Sequence, residues 1–305
     1  MDVAFIQTGS EPVLVKALNQ FPRSTKILGA LLDAGFYHDQ MTTCRVIEEI
    51  EDGETVTLLM WAILQPQKKI SSGVINLLIE RGAKVNFEAP ISRVTPLMLA
   101  IQCRRQDIVK SLLLADAEVD VTDATGRSPL SMASSIGGDL AITIMSNLLA
   151  AGASRNDGSL HNAARELNLQ AMQVLVEYRH DPDFPSPLHG GRSALGELCL
   201  HAADFGELTP RREKAMEKAI NFLLQSESDI TLQSDGKSVL LLALESSDPV
   251  TTTKILLRAD MWRYINKPFN YFNDGKFTYS PTMYVQRVLP DSDHKPQLLA
   301  LLKAN

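Results

Sequence analysis

Apolar residues in this chain recur in short blocks at helical spacing, and the blocks themselves repeat. Leu59, Leu97, Leu130, Leu160, Leu195 and Leu240 each open such a block. Three residues later comes a small or apolar side chain: Ala62, Ala100, Ala133, Ala163, Leu198 and Ala243. An i, i+3 pair of this kind occupies one helix face. The leucines stand 38, 33, 30, 35 and 45 residues apart, a repeat loosened by insertions. A second landmark closes each block: "LLDAG" (31–35), "LIERG" (78–82), "LLLAD" (112–116), "LLAAG" (148–152), "LVEYR" (175–179), "LLQSE" (223–227) and "LLRAD" (256–260). The last residue of each is placed where a helix ends in a left-handed conformation. Glycine adopts it freely and aspartate tolerates it, while Arg179 and Glu227 suit it poorly.

Between these landmarks the sequence predicts a pair of antiparallel helices. Thr95-Pro96 and Ser128-Pro129 supply a capping hydroxyl and a proline at the first helical position. A second helix such as "QDIVKSLLLA" then packs on the first. Neither can bury its face alone, so neighbouring pairs must stack into one core.

The segments "TPLMLA…DIVKSLLLADAEVD" and "GRSPLSMA…LLAAGASRN" resemble ankyrin repeats, whose pattern is T-P-L-H-x-A at a period of 33. The resemblance is most specific over 55–156 and extends to about 261. It implies an all-α ankyrin-repeat solenoid of about seven helix-pair units with short hairpin loops. Residues 1–54 then hold a degenerate first unit and an insertion, 55–261 the array, and 262–305 an aromatic hairpin and helix cap. The irregular segments 156–202 and 279–285 also resemble the ankyrin arrays of large filamentous-fungal proteins. There such arrays often form the sensor end of a longer chain carrying a NACHT-type nucleotide-binding domain, which is not found in this sequence.

Composition agrees with a folded chain: 45% of the 305 residues are hydrophobic and 22% charged. A net charge of −6 argues against nucleic acid or an acidic membrane surface as the main partner. Neither a membrane span nor a secretory signal is expected, and the three scattered cysteines, Cys44, Cys103 and Cys199, read as reduced thiols. The expectation is an intracellular protein, cytoplasmic or nuclear, monomeric and without a cofactor.

Candidate chemistry concentrates in "DFPSPLHGGRSALGELCLH" (183–201). In repeat register, His180 to Asp183 form the turn after a second helix, and Phe184 to Arg192 an expanded hairpin tip. Helix 195–201 then carries Cys199 and His201. A metal site from His180, His189, Cys199 and His201 lacks ligand spacing, and a Cys199 nucleophile lacks an orienting group and an oxyanion donor. A hydrolase or metal-binding protein built on this stretch is the alternative to a binding module. His161 falls at the histidine of T-P-L-H and is expected to bond neighbouring hairpin backbone. Glu48-Glu49 and Glu51-Asp52 read as solvated surface. "PRREKAMEK" (210–218) reads as an exposed helix face, with "DFGEL" lengthening the link before it. Eight of the eighteen aromatics lie between Trp262 and Tyr284, around an Asp274-Gly275 hairpin signal. They read as a cover for the last unit, or else as a patch for a partner.

What the resemblance implies is protein recognition by hairpin tips and the first helix of each pair. Repeat-by-repeat transfer gives Arg93, Val94, Arg127, Arg192 and Lys237 at the tips, and Gln102, Cys103, Ser135, Ile136, Arg165 and Glu166 on helices. Arg104 and Arg105 complete a run of arginines notable in an acidic protein. If these share one face, an acidic peptide or protein segment is the natural partner.

Overall fold

The computed structural model describes residues 12–46, 53–201, 203–204 and 209–304. The acidic pairs at 48–49 and 51–52, and most of "DFGEL", lie outside the described residues. Two compact units are present, one ending at Ser154 and the other beginning at Arg155.

The first unit holds four helix pairs: α1 (Val13–Gln20) with α2 (Thr25–Asp33), α3 (Leu58–Leu64) with α4 (Ser72–Glu80), α5 (Pro96–Gln102) with α6 (Gln106–Leu114), and α7 (Pro129–Ile136) with α8 (Gly138–Ala150). An antiparallel hairpin, β1 (Met41–Cys44) and β2 (Glu54–Thr57), precedes α3, with Met41 opposite Thr57. First helices stack on first helices (α3, α5, α7), and second on second (α2, α4, α6, α8). Leu58 to Leu64, Pro96 to Ile101 and Pro129 to Ser134 are buried all round. That is the expected fate of a short helix clamped between neighbours on both sides.

The second unit repeats the scheme with α9 (Ser159–Arg165) and α10 (Leu169–Glu177), α11 (Ala194–His201) and α12 (Pro210–Gln225), α13 (Val239–Glu245) and α14 (Pro249–Arg258), then α15 (Pro281–Arg287) and α16 (Lys295–Ala304). Two short hairpins, β3 (Gln233–Ser234) with β4 (Lys237–Ser238) and β5 (Phe272–Asn273) with β6 (Thr278–Tyr279), form tips before α13 and α15. α15 packs on α13 and α16 on α14. The two C-terminal helices therefore stack as a further pair of the same kind.

Local chemistry explains where the helices start and stop. Thr57, Thr95, Ser128, Thr209, Ser238 and Ser280 each accept the backbone N–H three residues on, at 3.0–3.4 Å. All seven expected closing residues have positive φ: Gly35, Gly82, Asp116, Gly152, Arg179, Glu227 and Asp260. Four residues beyond the first five of these turns stands an Asp or Asn whose side chain accepts a backbone N–H from the next turn. Asp39 accepts from Lys84 at 3.0 Å, Asn86 from Glu118 at 2.8 Å and Asp120 from Ser154 at 2.7 Å. In the second unit Asn156 accepts from Asp181 and Asp183 from Asp229, both at 2.9 Å. This ladder locks the register of successive turns with a side chain that tolerates turn geometry.

Arg179 and Glu227 hold φ of 69° and 65° against the preference of side chains with a Cβ. Glycine at either position is expected to stabilise the second unit by about 0.5–1 kcal/mol, read as a higher urea midpoint at unchanged slope. The same change at Tyr178, one residue before, should destabilise instead, since that residue keeps φ of −84°.

Candidate functional site

In the first unit the expected contact residues divide into two groups. Arg93 and Arg127 stand at successive hairpin tips, joined where Ala124 N–H donates to Ser92 C=O at 2.9 Å. Each guanidinium, about half exposed, is paired within its own tip: Arg93 with Glu88 at 3.3 Å and Arg127 with Asp123 at 2.9 Å. Asp123 also accepts from Thr125 and from the Arg127 backbone. Burial raises its pKa, but these bonds and the Arg127 charge outweigh that and hold it below the usual carboxylate range. Val94, expected at a tip, is buried.

The second group lies at the ends of α5 and α7. Gln102, Arg104 and Ser135 are exposed there, with Cys103 and Ile136 half-buried beside them. The Arg104 guanidinium donates to Ile136 C=O at 3.0 Å. Gln102 reaches the Met132 sulfur at 4.0 Å.

Arg105 is a correction to the expected contact set. Only 3% of it is exposed. Its guanidinium reaches back to the preceding repeat, donating to the carbonyls of Ala62, Ile63, Gln65 and Ile70 at 3.2–3.5 Å. Proline at 66 breaks α3 and offers no N–H, so the carbonyls at the end of that helix need an outside donor. Arg105 supplies it, and a partner cannot reach the group.

In the second unit, Arg165 and Arg192 converge on one carboxylate that sequence reasoning missed. Glu197 of α11 is 1% exposed, with Arg192 Nε at 2.8 Å and an Arg165 nitrogen at 3.9 Å. Its signal was present: a glutamate two residues past Leu195 in the apolar run "ALGELCL" demands a buried cation. Arg192 is otherwise half-buried, one nitrogen 3.5 Å from His201 Nε2. His201 Nδ1 pairs with Asp204 at 2.6 Å, and Asp204 also accepts from Ser247. Lys237 pairs with Glu245 at 2.7 Å, and Glu245 also accepts the Tyr284 hydroxyl. Glu166 lies beside Arg165, and burial raises its carboxyl pKa. These cations are thus largely compensated within the unit.

The histidines of 161–201 serve the expanded tip. His161 Nε2 lies 3.0 Å from Phe184 C=O and 2.8 Å from Arg192 C=O, so it carries the proton and holds both sides of the tip. His189 stacks on His161 with centroids 4.9 Å apart. Its Nδ1 is 2.8 Å from Ser186 Oγ and its Nε2 is 3.0 Å from Asn162 Oδ1. The amide oxygen only accepts, so Nε2 carries the proton and Ser186 donates to Nδ1. This resembles a serine–histidine pair, but Ser186 is fully buried and presents no hydroxyl to a substrate. The His180 ring accepts the Asn156 N–H at 3.3 Å. Burial pushes the Cys199 thiol up to about 12, far from a nucleophile's range. His180, His189, Cys199 and His201 are not brought together: among the described residues no three His, Cys, Asp or Glu groups are placed to hold a metal ion.

The aromatic segment splits into two parts. Phe272 packs edge-on against Tyr284, 5.2 Å between centroids, and covers the last helix pair. Phe277 and Trp262 remain 63% and 44% exposed. The hairpin turns through Asp274 to Phe277, since Asn273 pairs with Thr278, and Asp274-Gly275 forms its first half.

Among the described residues no helix is long and apolar enough to cross a membrane. The family model of ankyrin repeats matches residues 23–123 in three copies. Ankyrin repeat and KH domain-containing protein mask-1 of Caenorhabditis elegans is 29% identical over 191 residues, 60% of this chain and 6% of that protein. NF-kappa-B inhibitor alpha of Gallus gallus is 34% identical over 95 residues, 31% of this chain and 29% of the inhibitor. The chain thus spans less than a third of either relative. Among solved structures, the human ASB11 ankyrin repeat domain aligns with a TM-score of 0.56 at 20% identity, covering 80% of this chain and 97% of that one. The ankyrin repeat protein EF0377 aligns at 0.52 and 20% identity, covering 66% and 96%. With helix-pair stacking, capped openings and left-handed closings in repeat register, the chain has the ankyrin-repeat fold, and its residues 23–123 match the ankyrin-repeat family.

Proposed function

We propose that this chain is a non-enzymatic protein-recognition or scaffold module working inside the cell as a monomer, as the sensor part of a larger protein. Array residues 55–261 supply the binding surface and 262–305 close it. The observation that carries this reading is the patch formed by Gln102, Arg104 and Ser135. It is polar and exposed, and its one cation rests on a neutral carbonyl rather than a carboxylate. A relative named as an inhibitor of NF-kappa-B supports a protein as the ligand. Arg93 and Arg127 at the tips extend the surface within the first unit, and Arg165, Arg192 and Lys237 form a set of their own in the second. An acidic segment can exchange into their ion pairs.

The test is capture of partners on the intact chain and on a variant with Arg93 and Arg104, whose side chains hold no buried carboxylate, changed to Glu. Loss of a partner that the native chain retains, with an unchanged melting profile, supports the reading. Equal recovery on both removes these arginines from the interface. Arg104→Glu alone should leave stability within about 0.5 kcal/mol of the native chain, because its side chain is exposed.

A further inference from the structure

The uncompensated charge of the second unit lies away from the arginines of the first helices. The tip before α15 runs from Asp260 to Pro281, whereas the preceding tip runs only from Glu227 to Val239. The longer tip forms a finger whose outer side is aromatic, with Phe277 63% exposed and set against Tyr279 at 6.3 Å between centroids. The Asp274 carboxylate is committed to the turn, accepting from the N–H groups of Lys276 and Phe277 and from the Tyr279 hydroxyl at 2.7–3.0 Å. Lys267 and Lys276 on the finger, and Arg287 at the end of α15, make no ion pair among the described residues. The field of Arg287 reaches Tyr279. The exposed Phe277 ring thus follows exposed Lys276 in sequence, with exposed Lys267 earlier on the same finger and exposed Arg287 on the helix after it.

From this charge pattern we propose that the finger is a docking surface for an extended acidic peptide bearing apolar side chains. The rings of Phe277 and Tyr279 take the apolar groups, and Lys267, Lys276 and Arg287 take the carboxylates. Aromatic anchors ringed by charge concentrate binding energy and steer an oppositely charged segment. The arginines of the other tips cannot do this as readily, since Arg93, Arg127 and Arg192 already hold carboxylates of their own. This inference rests on the protein-recognition reading and narrows its partner.

The experiment uses the full chain and a fluorescein-labelled peptide of about 12 residues alternating Glu with Leu or Phe, followed by fluorescence anisotropy. A matched Lys peptide, a single-stranded oligonucleotide and phosphatidylserine vesicles serve as competitors. Binding of the acidic peptide should weaken roughly tenfold or more in Lys276→Glu/Arg287→Glu and in Phe277→Ser, and on raising salt from about 0.05 to 0.5 M. All three side chains are exposed or chain-terminal on their helix, so a thermal melt must show these variants folded. Acidic-peptide binding unaltered by the finger variants overturns this inference while leaving protein recognition standing. Preference for the oligonucleotide or the vesicles overturns it in favour of another class of ligand. If no peptide binds the native chain while a cellular protein is still captured through Arg104, the finger is excluded and recognition stands. If neither binds, both readings fall.

Discussion

Arg105→Ala is expected to destabilise the first unit by about 3 kcal/mol, a large effect for a position that sequence register places among the contacts. The side chain donates to four backbone carbonyls around the end of α3 and the turn after it. Its contacts are long, each worth less than an ideal charged hydrogen bond, but their loss strands buried acceptors together. The cost comes from those stranded acceptors more than from the bonds themselves. Lysine is expected to recover less than half, because a single ammonium cannot span carbonyls that a planar fork of five donors reaches. Hydrogen exchange resolved by segment is the measurement, since two units need not unfold as one. Amides of residues 58–72 should lose protection in Arg105→Ala while those of the second unit keep theirs. A variant with undiminished protection and impaired partner capture would return Arg105 to the interface.

Acid should weaken the second unit well before its carboxylates are protonated. Burial, reinforced by the neighbouring His161 ring and Arg192, lowers the pKa of His189 to about 3. Burial lowers those of His161 and His180 as well. Between about pH 6.5 and the folded value, the unfolded state takes up a proton on His189 that the folded state refuses. Stability therefore rises with pH across this window and falls as pH drops through it. One such histidine contributes up to about 1.4 kcal/mol per pH unit, or about 3 kcal/mol between pH 6.5 and 4. His161 and His180 act in the same direction. Urea unfolding of the second unit at stepped pH should show this slope, and His189→Gln should flatten it at some cost in stability at pH 7. A pH-independent midpoint between 6.5 and 4.5 would show that the tip admits the proton without yielding.

Much of the fold was legible because the repeat states the same physics several times. Capping hydroxyls, first-turn prolines and left-handed closings depend on neighbouring residues, and neighbours in sequence are what a reader sees. All seven closings, including the unsuited Arg179 and Glu227, fall where the pattern puts them. The tip-holding role of His161 was legible for the same reason. Arg105 was not, because a guanidinium looks alike in sequence whether water or a distant helix end receives it. The clue lay some forty residues upstream, in Gln65-Pro66, where α3 stops without a donor of its own. Glu54 escaped notice similarly: it is buried and accepts from the Ile91 and Ser92 backbone of the next tip. Such contacts join one repeat to another, and a single unit's pattern carries no record of them. The pairing that compensates Arg93, Arg127 and Arg192, by contrast, lies within four or five residues of each.

The ladder of Asp and Asn side chains also separates two design variables. Five closing turns are pinned by the ladder and most first helices open on a capping hydroxyl, and the tip between is held by contacts particular to each repeat. Tip length can thereby drift without disturbing the stack, and the short tip between Gly152 and Ser159 goes with the spacing of 30, while the link before α12 and the length of that helix carry the spacing of 45. A foreign loop inserted between Asp235 and Gly236, in the exposed turn of the β3–β4 tip, leaves those contacts in place and should be accommodated as a change of ornament rather than of architecture. The same freedom lets evolution try out new fingers on an unaltered frame.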